Sequence, residues 1–180
     1  MADAIEMLIE DHEKVKKLFA DYEDTTDRAI KTRRRIVDEV TEELSVHQAI
    51  EEQVLYPVTR AISDDAEAQS LESLEEHHLV SVALSELASL DPEDERFNPK
   101  MVVLMENVRH HVDEEEQELF PMLRKAVDKE ELDEMAKALE DARQIAPTRP
   151  HPAMPDTPPG NVLVGAVAGL VDRIRDKVGV

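Results

Sequence analysis

Two stretches of the chain pair a histidine with a glutamate four residues later. They begin at His47 and at His111, each runs eleven residues to a proline, and six of the eleven residues are identical in register. Side chains four residues apart share one face of a helix, so His47 lies beside Glu51 and His111 beside Glu115. Imidazole nitrogens and carboxylate oxygens are both metal ligands, so the repeated pattern predicts a metal site.

A second repeat adds two histidines. The segment around His12 aligns with the segment around His77, and both histidines fall within apolar stripes of helical period. Buried glutamates are costly unless their charge is compensated. A pair of metal ions compensates it, because each glutamate can bridge both ions while the histidines complete the coordination; such a set suits Fe, Mn or Zn. The predicted ligands are His12, His47, Glu51, His77, His111 and Glu115.

Helices must position these residues. Aromatic residues make up only 3% of the chain and glycines number four, which disfavours a sheet. Apolar residues recur with helical period, and two helix pairs in antiparallel order bring the four histidines to similar depths. The fold class is therefore predicted to be all-α. Five helices are expected. The first two cover 2–22 and 28–62, the third is capped by Ser63 and ends near 90, and the fourth is capped by Asn98 and ends near 127. A short fifth helix over 128–143 begins with a capping box.

Proline separates a bundle from a tail. Six of the fifteen residues from 146 to 160 are proline, which favours an extended segment. The predicted organisation is a metal-binding bundle over 1–145, a linker over 146–160 and an amphipathic tail helix over 161–180. The tail is expected to dock on its own bundle or to mediate a homo-oligomer or partner contact.

Composition excludes several classes of protein. The formal charge of −21 repels phosphate backbones, so no nucleic-acid partner is expected. The chain has no cysteine, which excludes disulfides, thiolate metal sites and thiol catalysis. The N-terminus lacks the pattern of a secretion signal, and the longest apolar stretch is too short to span a membrane. A cytoplasmic protein is expected.

Together these motifs resemble the hemerythrin-like proteins, the HHE cation-binding group. The resemblance rests on Asp11-His12, on Glu76-His77 and on the two stretches that begin at His47 and His111. It covers about residues 1–125. It implies an up-down-up-down four-helix bundle around a non-haem di-iron centre with the six ligands named above. It also implies chemistry with O2, peroxide or nitric oxide as the small-molecule partner.

The chain departs from the oxygen-carrying members of that group at two places. They have a histidine four residues before the third-helix ligand, where this chain has Ser73. Their fourth-helix carboxylate is an aspartate five residues after its histidine, whereas this chain has Glu115 at four and Glu116 at five. The missing imidazole leaves a metal position open, or filled by water, Tyr56 or Tyr22.

An open metal position favours turnover over reversible carriage. The expected function is therefore that of a di-iron protein, with oxidoreductase activity, that disposes of peroxide or nitric oxide in oxidative or nitrosative stress. Two irons are expected, and the same ligands accept Mn. The alternative is reversible O2 binding or sensing, or iron storage or sensing, without turnover.

Neighbouring residues compete for some of these roles. His78 and His110 adjoin two predicted ligands, but the repeat alignment and the apolar stripes favour His77 and His111. A ferritin-like site needs Glu-x-x-His on two helices, and the sequence has one such match, at Glu75. Asp11 and Glu76 precede their histidines and point about 100° away on the helix, so solvation at the surface is favoured over support of a ligand. Glu52 and Glu116 are also expected at the surface, with metal coordination as the alternative.

Overall fold

The computed structural model describes residues 2–153 and 165–178 of the 180-residue chain. Over those residues the secondary structure is helical. The elements are α1 (Ala4–Glu23), α2 (Ile30–Ile50), a first π turn (Glu51–Leu55), α3 (Tyr56–Thr59), α4 (Asp64–Ser89), α5 (Phe97–Glu114), a second π turn (Glu115–Leu119), α6 (Phe120–Ala126), α7 (Lys129–Arg143) and α8 (Gly165–Val178).

The four long helices form a bundle. α1 packs against α2, α4 packs against α5, and α2 and α4 join the two pairs. α7 is the predicted short fifth helix, and it lies against α1 and α2. The all-α class and the four-helix bundle are confirmed.

Two of the three predicted helix caps are confirmed. The Ser63 side chain accepts a hydrogen bond from the Ala66 N–H at 3.2 Å, and Asp128 begins α7 in a capping box. The prediction that Asn98 caps α5 is wrong, because the helix begins one residue earlier, at Phe97. The Phe97 ring is 1% exposed, and its burial in the core draws that residue into the helix.

Two of the helices predicted from the sequence contain π turns at the site. The Tyr56 N–H donates to the Glu51 carbonyl, and the Phe120 N–H donates to the Glu115 carbonyl, five residues back rather than four. Each π turn lies just before a proline, Pro57 or Pro121, which has no N–H to continue the helix ladder. A proline within a helical pattern favours a bend or a frayed end, and the structure shows a widened turn there.

Two apolar clusters fill the bundle, one above and one below the level of the histidines. On α1, Leu8 belongs to the lower cluster and Val15 to the upper one, with His12 between them. The same order holds on α4, where Leu74 is in the lower cluster and Val80 in the upper one. The polar side chains therefore form one layer, sealed from water on both sides.

The tail helix α8 lies on its own bundle, against α3 and α7. Its buried residues are Val167, Leu170, Val171 and Ile174. Lys177 Nζ lies 2.6 Å from Glu131 Oε1 on α7. Of the two docking modes expected for the tail, the structure shows the intramolecular one.

The predicted linker and the start of the predicted tail fall partly at 154–164, outside the described residues, so the domain limits stay a prediction. Within the described residues, no helix is both long enough and apolar enough to cross a membrane.

Candidate metal centre

The six predicted ligands meet in the layer between the two apolar clusters. All six side chains are buried, with at most 5% of any residue exposed. Both competing histidines lie outside: His78 is exposed and the His110 side chain is 65% exposed. The structure therefore brings together the six side chains that the sequence selected.

One half of the layer is formed by His12 and His47 with both glutamates. The two histidine Nε2 atoms are 3.1 Å apart. His47 Nε2 lies 3.2 Å from Glu51 Oε2, and His12 Nε2 lies 3.4 Å from Glu115 Oε2. The four residues each offer an atom within 4.8 Å of the others, a spacing that a single metal ion can bridge.

The other half repeats this arrangement with His77 and His111, whose Nε2 atoms are 3.2 Å apart. His77 Nε2 lies 3.4 Å from Glu51 Oε2, and His111 Nε2 lies 3.6 Å from Glu115 Oε2. Each glutamate therefore lies between one histidine of each half. This is the position that a carboxylate bridging two ions would occupy.

The hydrogen bonding of these glutamates also fits a metal centre. Both carboxylate oxygens of Glu51, and Oε2 of Glu115, are buried without a hydrogen-bond partner, although imidazole nitrogens lie close to them. Buried oxygens without partners are rare, because each costs about 1–3 kcal/mol. A cation among the nitrogens and oxygens would compensate this cost, so the donor set fits a metal pair.

Burial sets the charge of the centre in the absence of metal. It lowers the pKa of His47 to about 4, so this imidazole is in the neutral form that binds metals. Burial and the charge of nearby Glu115 raise the pKa of Glu51 well above its ordinary value. Burial also opposes ionisation of Glu115, but His111 and His12 outweigh it and hold the pKa of that carboxyl below its usual range.

The Nδ1 atom of each of the four candidate ligand histidines contacts a carboxylate, an arrangement that the sequence did not favour. Asp11 and Glu76 were expected at the surface, as were Glu52 and Glu116, and that expectation is wrong. The pairs are His12 Nδ1 with Glu116 Oε1 at 2.9 Å, His47 Nδ1 with Asp11 Oδ2 at 3.4 Å, His77 Nδ1 with Glu52 Oε1 at 3.1 Å, and His111 Nδ1 with Glu76 Oε2 at 2.8 Å. Such contacts orient a ligating imidazole and raise its basicity.

These pairs do not follow from the sequence pattern, because each carboxylate contacts a histidine on another helix. Asp11 points away from its neighbour His12, as helical geometry requires, but towards His47 on α2. Glu76 of α4 likewise holds His111 of α5. One sequence feature indicates these pairs: an acidic residue directly precedes both His12 and His77 in the repeat.

Replacing Glu76 with alanine should weaken metal binding by about 10- to 100-fold, because His111 loses the partner that orients its ring. Competition with a chromophoric chelator measures this affinity. Glu75→Ala is the matched control, since Glu75 is exposed on the same helix. Equal affinities for the two variants would show that the Glu76 contact does not support the ligand.

The first π turn brings Tyr56 into the centre. In a π turn, residue i+5 rather than i+4 lies over residue i, so Tyr56 follows Glu51 on the same face. Its hydroxyl donates to Glu115 Oε1 at 3.0 Å and lies 3.0 Å from His77 Nε2. Phe120 is the equivalent residue of the second π turn, and its ring stacks on His12 at 5.8 Å. The second π turn therefore places a ring without a hydroxyl where the first places Tyr56.

Tyr22, the other tyrosine considered for an open metal position, lies elsewhere. Its hydroxyl donates to Asn98 Oδ1 at 3.3 Å, and the Arg33 guanidinium lies 5.5 Å from the centre of its ring. It belongs to the upper apolar cluster. Of the two tyrosines, only Tyr56 reaches the ligands.

A small cavity of about 10 Å³ adjoins the four histidines on the side of the upper apolar cluster. The rest of its wall is Gln48 and five apolar side chains: Val15, Leu44, Val80, Val108 and Val112. A cavity of this size holds about one water molecule. The centre thus offers space for a molecule of very few atoms.

Comparison with known proteins agrees with this geometry. The family model "Hemerythrin HHE cation binding domain" matches residues 3–123. A hemerythrin-like protein of Schizosaccharomyces pombe is 30% identical over 179 residues, which is 99% of this chain and 86% of the relative. The crystal structure of a hemerythrin HHE cation-binding domain-containing protein from Mycobacterium kansasii superposes with a TM-score of 0.68, at 25% identity, over 81% of this chain and 90% of the other.

A second sequence relative carries a different description. A protein of Nostoc described as a DNA nickase is 26% identical over 133 residues, covering 74% of this chain but only 37% of the relative. The shared part is therefore about a third of that protein.

Proposed function

The chain belongs to the hemerythrin HHE cation-binding family, and we propose that it is a non-haem di-iron protein that disposes of a small oxidant, either peroxide or nitric oxide. The family binds metal cations, typically iron, and the histidine and glutamate groups of this chain are able to hold metal. The ligands would be His12, His47, Glu51, His77, His111 and Glu115. Manganese suits the same ligands.

The roles of the side chains follow from their positions. His12 and His47 would hold one ion, and His77 and His111 the other. Glu51 and Glu115 would bridge the ions, since the Oε2 atom of each lies between the two halves. Tyr56 would occupy a further position on the side of His77, where its hydroxyl lies 3.0 Å from the ring nitrogen.

The observation that carries the choice of substrate class is the cavity beside the histidines. Its volume of about 10 Å³ and its largely valine and leucine wall beyond the histidines favour a small uncharged molecule of about two heavy atoms over larger or charged ones. Iron bound there would exchange electrons with that molecule. The side chains around the cavity would position that molecule and keep bulk water away. Each carboxylate partner would hold its imidazole in place.

Metal analysis followed by rapid mixing tests the proposal. The purified chain should contain two irons. In stopped-flow experiments the iron-loaded protein should consume peroxide over many turnovers with evolution of O2, or consume nitric oxide over many turnovers when an electron donor is supplied in excess. A stable, reversible spectrum with O2 and no turnover of either oxidant would favour the alternative, O2 binding or sensing. Background metal content would overturn both functions.

Tyr56→Phe tests the proposed tyrosine ligand. Ferric iron bound to a phenolate absorbs visible light, so the variant should lose a visible band while keeping its two irons, because the six main ligands are intact. Tyr22→Phe is the matched control: the chain has two tyrosines, and the Tyr22 hydroxyl bonds to Asn98 instead. An unchanged spectrum of the Tyr56 variant would place water, not the phenolate, on the metal.

A further inference from the structure

The fifth helix, α7, contacts three elements that carry predicted metal ligands. It packs against α1, α2 and the first π turn, which hold His12, His47 and Glu51. The family match ends at residue 123, so all of α7 lies beyond it. A helix outside the four-helix bundle therefore borders one half of the metal centre.

The last residue of α7 reaches towards this half. Arg143 Nη2 donates to Asp11 Oδ2 at 2.6 Å, and the same oxygen lies 3.4 Å from His47 Nδ1. Asp11 thus connects an arginine of α7 with an imidazole of α2. The Asp11 side chain is only 16% exposed, so the pair differs from a solvated surface salt bridge, which contributes little to stability.

The other histidine of this half has a similar arrangement. Lys16 Nζ donates to Glu116 Oε1 at 3.1 Å, and Glu116 Oε1 lies 2.9 Å from His12 Nδ1. Each imidazole of this half therefore contacts a carboxylate that is itself paired with a cation. Lys16 belongs to the bundle helix α1, whereas Arg143 comes from the fifth helix.

The orientation of the His47 ring depends on Asp11. An ionised carboxylate accepts hydrogen bonds but cannot donate them, so the His47 proton lies on Nδ1 and the lone pair of Nε2 faces the centre. Without a cationic partner, the partly exposed Asp11 carboxylate would be free to turn to water. The hydrogen bond from Arg143 keeps it on His47, because charge-assisted hydrogen bonds are roughly twice as strong as neutral ones.

We propose that Arg143 is a positioning residue of the metal centre, which holds Asp11 against His47 so that the fifth helix completes one half of the site. Arg143 acts through Asp11 alone, since a guanidinium has no acceptor to offer a metal. The metal-binding role of His47 rests on the function proposed above, whereas the position of its ring is a property of the metal-free chain as well.

Competition between the full-length chain and a chelator for ferrous iron, without oxygen, tests the proposal by a mutant cycle. Asp11→Ala should weaken metal binding by about 10- to 100-fold, and Arg143→Gln by about three- to tenfold, because it acts one contact further from the metal. The double variant should bind no more weakly than Asp11→Ala alone. Additive losses would overturn the proposal, since Arg143 would then act independently of Asp11.

Arg173→Gln is the matched control, because Arg173 pairs with Glu134 of the same helix, away from the centre. This variant should keep the wild-type affinity. An equal loss of affinity in Arg173→Gln and Arg143→Gln would overturn the proposal, because it would mean that the docking of α7 matters rather than the contact with Asp11.

Proton–nitrogen NMR spectra of the histidine rings in the metal-free protein give a second readout. Wild type and Arg173→Gln should show His47 protonated on Nδ1, and Arg143→Gln should show a mixture of the two neutral forms. An unchanged His47 signal in Arg143→Gln would overturn the positioning role. A wild-type chain that binds no metal would refute the proposed function instead, and the NMR comparison would still decide whether Arg143 positions His47.

Discussion

Glu51→Gln should lose at least one of the two proposed metal ions and yet be more stable than wild type when both proteins are metal-free. Glu51 Oε2 lies 3.2 Å from His47 Nε2 and 3.4 Å from His77 Nε2, so both halves of the centre use this carboxylate. A neutral amide is a much weaker ligand. In the metal-free protein the same carboxyl is fully buried and makes no hydrogen bond, so its replacement should raise the free energy of unfolding by about 1–3 kcal/mol.

Elemental analysis gives the metal content, and urea denaturation of chelator-treated protein gives the stability. Glu118→Gln is the matched control, because Glu118 is an exposed glutamate of the second π turn; it should change neither quantity. Two metals per chain in the Glu51 variant would refute the bridging role. Lower stability of the metal-free variant would show that the carboxylate is already compensated without metal.

Removal of the metal should lower the free energy of unfolding of the wild-type protein by about 4 kcal/mol or more. An ion that binds only the folded state stabilises it by about 4.1 kcal/mol when its free concentration is 1,000 times its dissociation constant. The physical source of that energy here is the buried layer of four imidazoles and two carboxylates, in which both oxygens of Glu51 and one oxygen of Glu115 make no hydrogen bond. Urea denaturation with and without a strong chelator measures the difference.

A double variant, Glu51→Gln with Glu115→Gln, controls for effects of the chelator itself. It should bind little metal, so the chelator should not change its unfolding midpoint. Returning iron to chelator-treated wild type should restore the original midpoint. Identical midpoints with and without chelator in wild type would mean that the bundle does not depend on metal.

Several predictions made from the sequence concern residues within one helix, and these hold well. The period of the apolar residues determines which side chains share a face, so the inward positions of His12, His47, His77 and His111 follow from the sequence. The Ser63 cap and the Asp128 capping box are equally local, because each bond spans three residues. The cap predicted at Asn98 failed where burial of Phe97 outweighed the local preference.

The sequence by itself thus determined an all-helical bundle and the six side chains of one buried layer. Only the tertiary structure decided which carboxylate holds which imidazole, since pairs such as Asp11 with His47 join different helices and depend on how those helices are rotated and offset. It also decided that Tyr56 enters the layer, because a π turn shifts every later residue by one position around the helix. Helical periodicity describes one regular helix at a time, so it contains no information on either the contacts between helices or the irregular turn.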